Sequence, residues 1–381
     1  MKSSISNYSE DFMRRAIQLA QKGEGFVHPN PMVGAVIVRD NKIIAEGYHH
    51  NYGNLHAERD ALKNAADNNI DVKGAEIYIT LEPCCHQGKQ PPCTQAIIES
   101  GIKKVYIGSR DPNPLVNGKG VELLKAAGIE VVQDFLKDEC DSINKIFFHY
   151  IQHKKPYVIL KYAMTLDGQT ATYTKDSKWI SGEASRLNVH KTRANVAAVL
   201  TGIQTALCDN PMLNCRLNDG EKHFNPTRII LDSHVQLKED SALVKSAKDI
   251  PLIEVCALDL TEEENSRMEH LKSLGVKFIQ TESCDGKIDL EKLLTLLGQE
   301  GIDSILIESG GYLNASFLFQ KSMPLVNEVH VYLAAKFFGN DGQSIFNPVR
   351  GLGVELAKDA LELKKPSVEF FDNDILLKYE V

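Results

Sequence analysis

The sequence has no long apolar run, a single tryptophan and no excess of positive charge. No stretch approaches the roughly 18 consecutive apolar residues that a membrane span needs. The first ten residues are polar, without the apolar core of a signal peptide. A formal net charge of −8 argues against a broad electrostatic footprint for nucleic acid. We therefore expect a cytoplasmic protein that binds neither membrane nor nucleic acid.

A regular cysteine framework is also missing. Eight cysteines are scattered without dense spacing over 381 residues, which predicts reduced thiols rather than disulfides. With 43% hydrophobic and 25% charged residues, the chain has the composition of a globular protein and is long enough for two domains.

The most informative pattern is His56-Ala57-Glu58, followed by Pro83-Cys84 and then Cys93. One imidazole and two thiolates would give a tetrahedral zinc ion three protein ligands and leave one position for water, as a catalytic site requires. Glu58 would then be free to carry protons. Zinc nucleobase deaminases have this H-x-E plus P-C-to-C arrangement, in which the glutamate is not a ligand.

The alternative is that these residues are unrelated, since two cysteines about ten residues apart are usually small buried hydrophobes. Their context favours zinc. His56 and Glu58 begin a predicted helix, Cys84 follows an apolar strand, and Cys93 begins the next helix. Helix N-termini favour thiolates and other anions.

Hydrophobic periodicity predicts two successive α/β domains, 1–153 and 154–381, joined at Lys154-Lys155-Pro156. In the first, we predict a helix around 12–20 capped by Ser9, the strands 33–38, 42–48, 75–82 and 104–109, and the helices 58–66, 93–100, 121–127 and 138–153. In the second, we predict the strands 157–163, 196–201, 228–232, 252–257, 277–281, 304–308 and 328–333, and the helices 185–194, 262–274, 290–299 and 312–319.

The motifs resemble, in order and over nearly the whole chain, the bifunctional deaminase-reductase family of riboflavin biosynthesis. In the first half, the resemblance rests on Val27-His28-Pro29-Asn30-Pro31-Met32-Val33-Gly34, His56-Ala57-Glu58, the segment Leu81 to Thr94, and Asp111-Pro112-Asn113-Pro114. In the second half, it rests on Lys161 to Gly168, Trp179-Ile180-Ser181, Thr201-Gly202 through Asp209-Asn210-Pro211, Leu231-Asp232-Ser233 and Ile307-Glu308-Ser309-Gly310-Gly311.

This resemblance implies a cytidine-deaminase-like three-layer α/β/α domain followed by a dihydrofolate-reductase-like α/β domain. The implied reactions are zinc-dependent deamination of 2,5-diamino-6-(5-phosphoribosylamino)pyrimidin-4(3H)-one and NADPH-dependent reduction of its ribosyl group to ribityl. The absence of a G-x-G-x-x-G after a first strand agrees with a reductase of this type rather than with a Rossmann domain.

The resemblance also assigns residues to binding roles. The expected substrate contacts are Asn30, His49, His86, Lys89, Asp111 and Asn113 in the first domain and Lys161, Ser177, Arg193, Leu213, Arg216 and Glu308 in the second. The expected NADPH contacts are Ala163, Trp179, Thr205, Asp209, Ser233, Gly310, Gly311, Tyr312, Leu313, Asn314, Ala315 and Ser316. A proton donor is also needed for the reduction, and Lys161, Asp209 and Glu308 remain equal candidates.

The loop between the cysteines departs from the family pattern at four positions. Cys85, Gln87, Lys89 and Gln90 stand where the family usually has Ser, His, Arg and Thr. These changes spare the proposed ligands, but they bring the expected substrate contacts of the loop into question and place a third thiol beside the metal.

Two other functions have to be weighed. A deaminase acting on free nucleosides or RNA would leave the second domain unexplained. A zinc-stabilised binding module would need a fourth protein ligand, from Cys85 or His86. By family analogy we expect a homo-oligomer, a dimer or tetramer, with an exposed strand edge at 329–334 as a candidate contact.

Overall fold

The computed structural model describes residues 7–87, 90–113, 116–217, 219–220, 223–284, 286–320, 323–340, 342 and 346–381. The chain forms two compact units, 1–154 and 155–381. Within the described residues, no helix is long and apolar enough to cross a membrane. None of the seven cysteines whose side chains are described forms a disulfide.

Unit 1 contains a five-stranded sheet in the order β2-β1-β3-β4-β5, with β1 antiparallel to its neighbours and β3, β4 and β5 parallel. Its strands are β1 (Gly34–Arg39), β2 (Lys42–Tyr48), β3 (Glu76–Leu81), β4 (Lys104–Ser109) and β5 (Glu130–Val132). Its helices are α1 (Asn7–Gln21), α2 (Ala57–Asp67), α3 (Cys93–Glu99), α4 (Lys119–Ala126), α5 (Lys137–Ser142) and α6 (Lys145–His153).

The strands of unit 1 alternate between two hydrophobic layers. Val36 and Tyr78 pack with Met13 of α1 on one face, whereas Ile37 and Ile79 pack on the other face, against α2, α3 and α4. Because side chains alternate along a strand, both faces of one sheet can be buried in this way. The predicted three-layer α/β/α architecture is confirmed.

Unit 2 contains a nine-stranded sheet in the order β10-β9-β8-β7-β13-β6-β14-β16-β15, in which β16 is antiparallel to both of its neighbours and the other pairings are parallel. Its strands are β6 (Tyr157–Thr165), β7 (Ala198–Gly202), β8 (Thr227–Leu231), β9 (Leu252–Ala257), β10 (Lys277–Thr281), the short pair β11 (Ser283–Cys284) and β12 (Lys287–Ile288), β13 (Ser304–Ile307), β14 (Glu328–Ala334), β15 (Lys364–Phe371) and β16 (Asp374–Glu380). Its helices are α7 (Glu183–Ala194), α8 (Ile203–Asp209), α9 (Ala242–Lys245), α10 (Glu262–Ser273), α11 (Leu290–Gln299) and α12 (Gly311–Leu318), with a short 3₁₀ helix at Ala357–Asp359.

The core of unit 2 lies between its parallel strands and its longer helices. Leu200 and Ile305 of the central strands are fully buried with Leu293 of α11 and Phe317 of α12. Strands buried on both faces read as near-continuous apolar runs, which explains why the periodicity identified them. The α/β class predicted for this half is confirmed.

The structure corrects three predictions. The single helix 138–153 is two helices, because the side chain of Asn144 accepts a hydrogen bond from the backbone N–H of Met32 and donates one to its carbonyl, each at 2.9 Å. Ser9 is not a cap, since α1 begins two residues earlier. The segment 329–334 is not a sheet edge either, because β14 lies between β6 and β16.

Candidate active sites

The first site is built around the start of helix α2. His56 is the N-cap of that helix and Glu58 lies in its first turn. Gly47 of β2 lets the helix approach closely, because a Cβ atom there would lie 2.2 Å from the backbone nitrogen of Ala61. A side chain at position 47 would therefore displace the helix that carries His56 and Glu58.

His56, Cys84 and Cys93 form a group whose ligand atoms lie within 4.8 Å of one another. The Nδ1 atom of His56 lies 3.5 Å from the Cys84 Sγ and 3.4 Å from the Cys93 Sγ. For a tetrahedral ion with zinc–sulfur and zinc–nitrogen bonds of about 2.3 and 2.0–2.1 Å, these separations should be about 3.6 Å. The donor set and its spacing therefore fit zinc. Within the described part of the chain, neither Cys85 nor His86 belongs to this group, which favours an open catalytic site over a closed structural one.

Glu58 points into the same site and is almost completely buried. Burial raises the pKa of its carboxyl group, and the nearby Cys84 sulfur acts in the same direction. A carboxyl group beside the ligand group and within a cavity can exchange protons with a bound molecule.

A cavity of about 240 Å³ adjoins this group. Five predicted substrate contacts line it, namely Asn30, His49, His86, Asp111 and Asn113. The sixth, Lys89, lies outside the described residues. The cavity volume is sufficient for a small planar ring with part of its substituent.

Several of these side chains are fixed by neighbours. The Asn30 Nδ2 atom lies 3.3 Å from His49 Nε2, and His49 Nδ1 lies 2.9 Å from the carbonyl oxygen of Leu55. Burial raises the pKa of Asp111 to about 6, although the backbone N–H of Asn113 donates a hydrogen bond to its carboxylate at 2.8 Å. These side chains are therefore positioned before a ligand arrives.

The sequence interpretation missed one wall of the cavity. Phe147, Tyr150 and Ile151 of α6 line it together with Glu82 after β3. An apolar residue on an amphipathic helix carries no signal that separates a pocket wall from core packing. Among the residues that depart from the family pattern, Gln90 lines the cavity and donates a hydrogen bond to the carbonyl of Gly53.

Unit 2 contains two cavities whose linings share Thr205, Ser309, Gly310 and Gly311. One, of about 390 Å³, is lined by all six substrate contacts predicted for this half and by the cofactor candidates Ala163, Trp179, Asp209 and Asn314. The other, of about 320 Å³, is lined by the cofactor candidates Ser233, Tyr312, Leu313 and Ser316. Ala315 lines neither cavity.

Gly310 is the N-cap of α12, which begins directly after β13. A Cβ atom on Gly311 would lie 2.5 Å from both the carbonyl oxygen of Asn347 and the Arg350 Cγ, so no larger residue fits there. The backbone N–H groups at this helix start face a space that suits a diphosphate. The shared lining suits a cofactor that reaches from one cavity into the other.

A buried ion-pair group lies in the larger cavity. The Arg193 Nε atom lies 2.6 Å from one carboxylate oxygen of Glu308, and the Lys161 Nζ atom lies 3.3 Å from the other. Burial alone would raise the pKa of Glu308, but the charges of Arg193 and Lys161 outweigh it and lower the pKa to about 2. Glu308 is therefore ionised at neutral pH.

We expect Glu308→Gln to lower the free energy of unfolding of unit 2 by about 3 kcal/mol at neutral pH. Because its folded pKa is lowered, the carboxylate stabilises the fold above pH about 4.5, and this stability is lost as the pH falls toward 2. The variant should lack this acid-dependent loss. Urea unfolding followed by fluorescence of the single tryptophan, Trp179, measures it.

Glu269→Gln is the matched control, because Glu269 forms an exposed ion pair with Lys272. Exposed pairs contribute at most about 1 kcal/mol. If both variants lose the same stability, the buried ion pair does not stabilise unit 2 as argued.

The architecture and donor groups define a zinc-dependent deaminase joined to a nicotinamide-dependent reductase. Comparisons with known proteins agree. Residues 6–109 match the family model of the cytidine and deoxycytidylate deaminase zinc-binding region, and residues 156–377 match that of the RibD C-terminal domain.

Similar proteins cover almost the entire chain. The riboflavin biosynthesis protein RibD of Actinobacillus pleuropneumoniae is 46% identical over 97% of this chain and 95% of its own. That of Aquifex aeolicus is 39% identical, over 99% of each chain. Among solved structures, a diaminohydroxyphosphoribosylaminopyrimidine deaminase/5-amino-6-(5-phosphoribosylamino)uracil reductase from Thermotoga maritima is 38% identical with a TM-score of 0.83, over 98% of each chain. RibD of Acinetobacter baumannii is 35% identical with a TM-score of 0.86, also over 98% of each chain.

The chain belongs to the RibD family of bifunctional riboflavin biosynthesis enzymes. It is a deaminase and a reductase that uses zinc and NADPH, as the sequence predicted.

Proposed function

We propose that residues 1–153 deaminate 2,5-diamino-6-(5-phosphoribosylamino)pyrimidin-4(3H)-one, and that residues 154–381 reduce the ribosyl group of the product to give 5-amino-6-(5-phosphoribitylamino)uracil. The observation that carries this proposal is the group His56, Cys84 and Cys93, with Glu58 beside it in one cavity. The solved relative from Thermotoga maritima carries both activities in its name.

In the deaminase unit, His56, Cys84 and Cys93 would hold the zinc ion, whose chemistry when bound would be to make water a nucleophile at neutral pH. Glu58 takes a proton from the attacking water and delivers it to the departing amino group. Asn30 and His49 hold the pyrimidine ring from one side, and Asp111 and Asn113 from the other. Glu58 thus acts on both the entering and the leaving group.

In the reductase unit, Arg193 and Arg216 bind the phosphate of the substrate. Ser177, Leu213 and Lys161 contact other parts of the substrate. Gly310 and Gly311 at the start of α12 would hold the NADPH diphosphate, and the cofactor would supply the hydride needed at C1′ of the opened ribosyl group. Opening requires a proton donor. Since Glu308 is ionised at neutral pH, it has no proton to give, which leaves Lys161, held in place by Glu308, and Asp209, which lines the same cavity, as the proposed donors.

We further propose that the enzyme is a cytoplasmic homodimer. Strand β15 is the edge of the nine-stranded sheet, and Val368 and Phe370 on it are exposed. An exposed apolar edge strand is a template for pairing with a second copy. Light scattering should then give about twice the chain mass of 42.4 kDa, and a monomer mass would reject the proposal.

Mass spectrometry of the substrate tests the two reactions. Incubation with zinc-loaded protein should replace one amino group by oxygen without NADPH, and addition of NADPH should then add two hydrogens. An unchanged substrate in the presence of stoichiometric zinc would contradict the proposal, and nucleosides and RNA would then be tested as substrates.

A further inference from the structure

The smaller cavity of unit 2 is lined by charges of one sign. Lys287 and Arg350 are its two charged residues, and no carboxylate is among its described lining residues. Sequence analysis identified neither. A cavity whose charged residues, among those described, are both cationic suits a ligand with several phosphate groups.

Arg350 is fixed beside the start of helix α12. Its backbone N–H donates to the carbonyl of Gly311 at 2.9 Å. Its guanidinium carbon lies 5.0 Å from the ring centre of Tyr312 and 5.4 Å from that of Phe346. This arginine is thereby placed at the helix N-terminus that suits a diphosphate.

Lys287 lies elsewhere in the cavity. It begins the short strand β12, which packs against β9. Ser233 lies next to the end of β9, because the carbonyl of Ser233 accepts a hydrogen bond from the N–H of Ala257. Within the part of the chain that is described, Lys287 forms no ion pair.

Strands β8 and β7 separate β9 from β13, the strand that leads into α12. Three strand spacings amount to about 14 Å. Lys287, in β12 beside β9, and Arg350, beside the start of α12, therefore line the same cavity from different parts of the unit. This arrangement suits a ligand that carries a diphosphate at one end and a further phosphate at the other.

We propose that Lys287 binds the 2′-phosphate of NADPH and so makes the enzyme prefer NADPH to NADH, while Arg350 binds the diphosphate. This inference rests on the proposed function, which places the cofactor in this cavity. A charge-assisted hydrogen bond contributes about 1.5–3 kcal/mol, so loss of the lysine should weaken binding about tenfold or more.

Direct binding measured by isothermal titration calorimetry separates the 2′-phosphate from the rest of the ligand. The probes are 2′,5′-ADP and 5′-AMP, which differ only by that phosphate. Lys287→Gln should raise the Kd for 2′,5′-ADP about tenfold and leave the Kd for 5′-AMP unchanged. Lys287→Glu should raise the former further.

Lys292→Gln is the matched control, since Lys292 lies five residues away in α11 and pairs with Glu282. It should change neither affinity. Equal weakening of both probes by Lys287→Gln, or no weakening, would overturn the role of Lys287.

A second variant distinguishes failure of this inference from failure of the proposed cofactor site. Thr205 lines both cavities of unit 2, and Thr205→Trp should block NADPH binding by filling their shared part. If NADPH binds to this variant normally, the cofactor site is wrong. If binding is blocked and Lys287→Gln has no effect, only the inference about Lys287 falls. Urea unfolding of unit 2 checks that each variant remains folded.

Discussion

Glu58→Gln should slow deamination by about 10²- to 10⁴-fold, because glutamine keeps the size of the side chain but cannot accept and return a proton. His56, Cys84 and Cys93 remain, so the variant should bind zinc with unchanged stoichiometry. Mass spectrometry of the product after timed incubation measures the rate, and metal analysis measures the zinc content.

The second reaction serves as an internal control for Glu58→Gln. The reductase unit has its own core and cavities, so reduction of supplied deaminated substrate should proceed at the wild-type rate. A variant that lost both reactions would have lost its fold. A variant that kept full deamination would show that Glu58 is not the proton carrier.

Glu254→Gln should stabilise unit 2 in alkaline solution, by up to about 5 kcal/mol at pH 8. Glu254 lies in β9 and is completely buried, and neither of its carboxyl oxygens has a hydrogen-bond partner among the described residues. Burial contributes most to raising its pKa and the negative charge of Asp232 adds to this, which together bring the pKa to about 9. The native fold therefore requires the protonated acid.

Because the pKa of Glu254 is raised in the folded state, its contribution to the free energy of unfolding decreases as the pH rises. The contribution of Glu254 to stability is complete below pH about 4.5 and is lost progressively as the pH rises toward 9. Glutamine is neutral throughout, so the variant and the wild type should differ little at pH 5 and most at pH 8.

Urea unfolding followed by Trp179 fluorescence at a series of pH values tests this prediction at constant protein concentration. Glu263→Gln is the control, since Glu263 is exposed and pairs with Arg267 on the surface of α10. If the free energies of unfolding of the wild type and of Glu254→Gln depended on pH in the same way, Glu254 would not be protonated in the folded state as argued.

The elements that the sequence predicts best are those whose apolar residues face a core. Strands such as 42–48, 104–109, 252–257 and 277–281 were predicted at their observed bounds. Periodicity failed where a tertiary contact decides the local structure, as at Asn144, whose bonds to Met32 divide one predicted helix into two. It also missed the hairpin of β15 and β16, because β15 is exposed along its length and shows no buried face.

The active-site residues were likewise predictable only where the chemistry restricts the residue type. The sequence could single out His56, Glu58, Cys84 and Cys93 because metal chemistry dictates residue types at set positions, and the structure brings the three proposed ligands together. Lys287 and Phe147 were not found, because a surface lysine and an apolar helix residue look alike whether or not they line a cavity. The residue-level roles remain predictions for the experiments above.

The cavity of unit 1 takes its walls from two successive sections of the chain. The section that matches the deaminase family, 6–109, contains the proposed metal ligands and Glu58, whereas Asp111 and the α6 residues that form another wall follow it in the chain. Substitutions at Asp111 or on α6 would thus change the lining of the cavity and leave the proposed metal ligands and Glu58 in place. For protein engineering, the later section is the place to redirect this deaminase toward other ring systems without disturbing its metal.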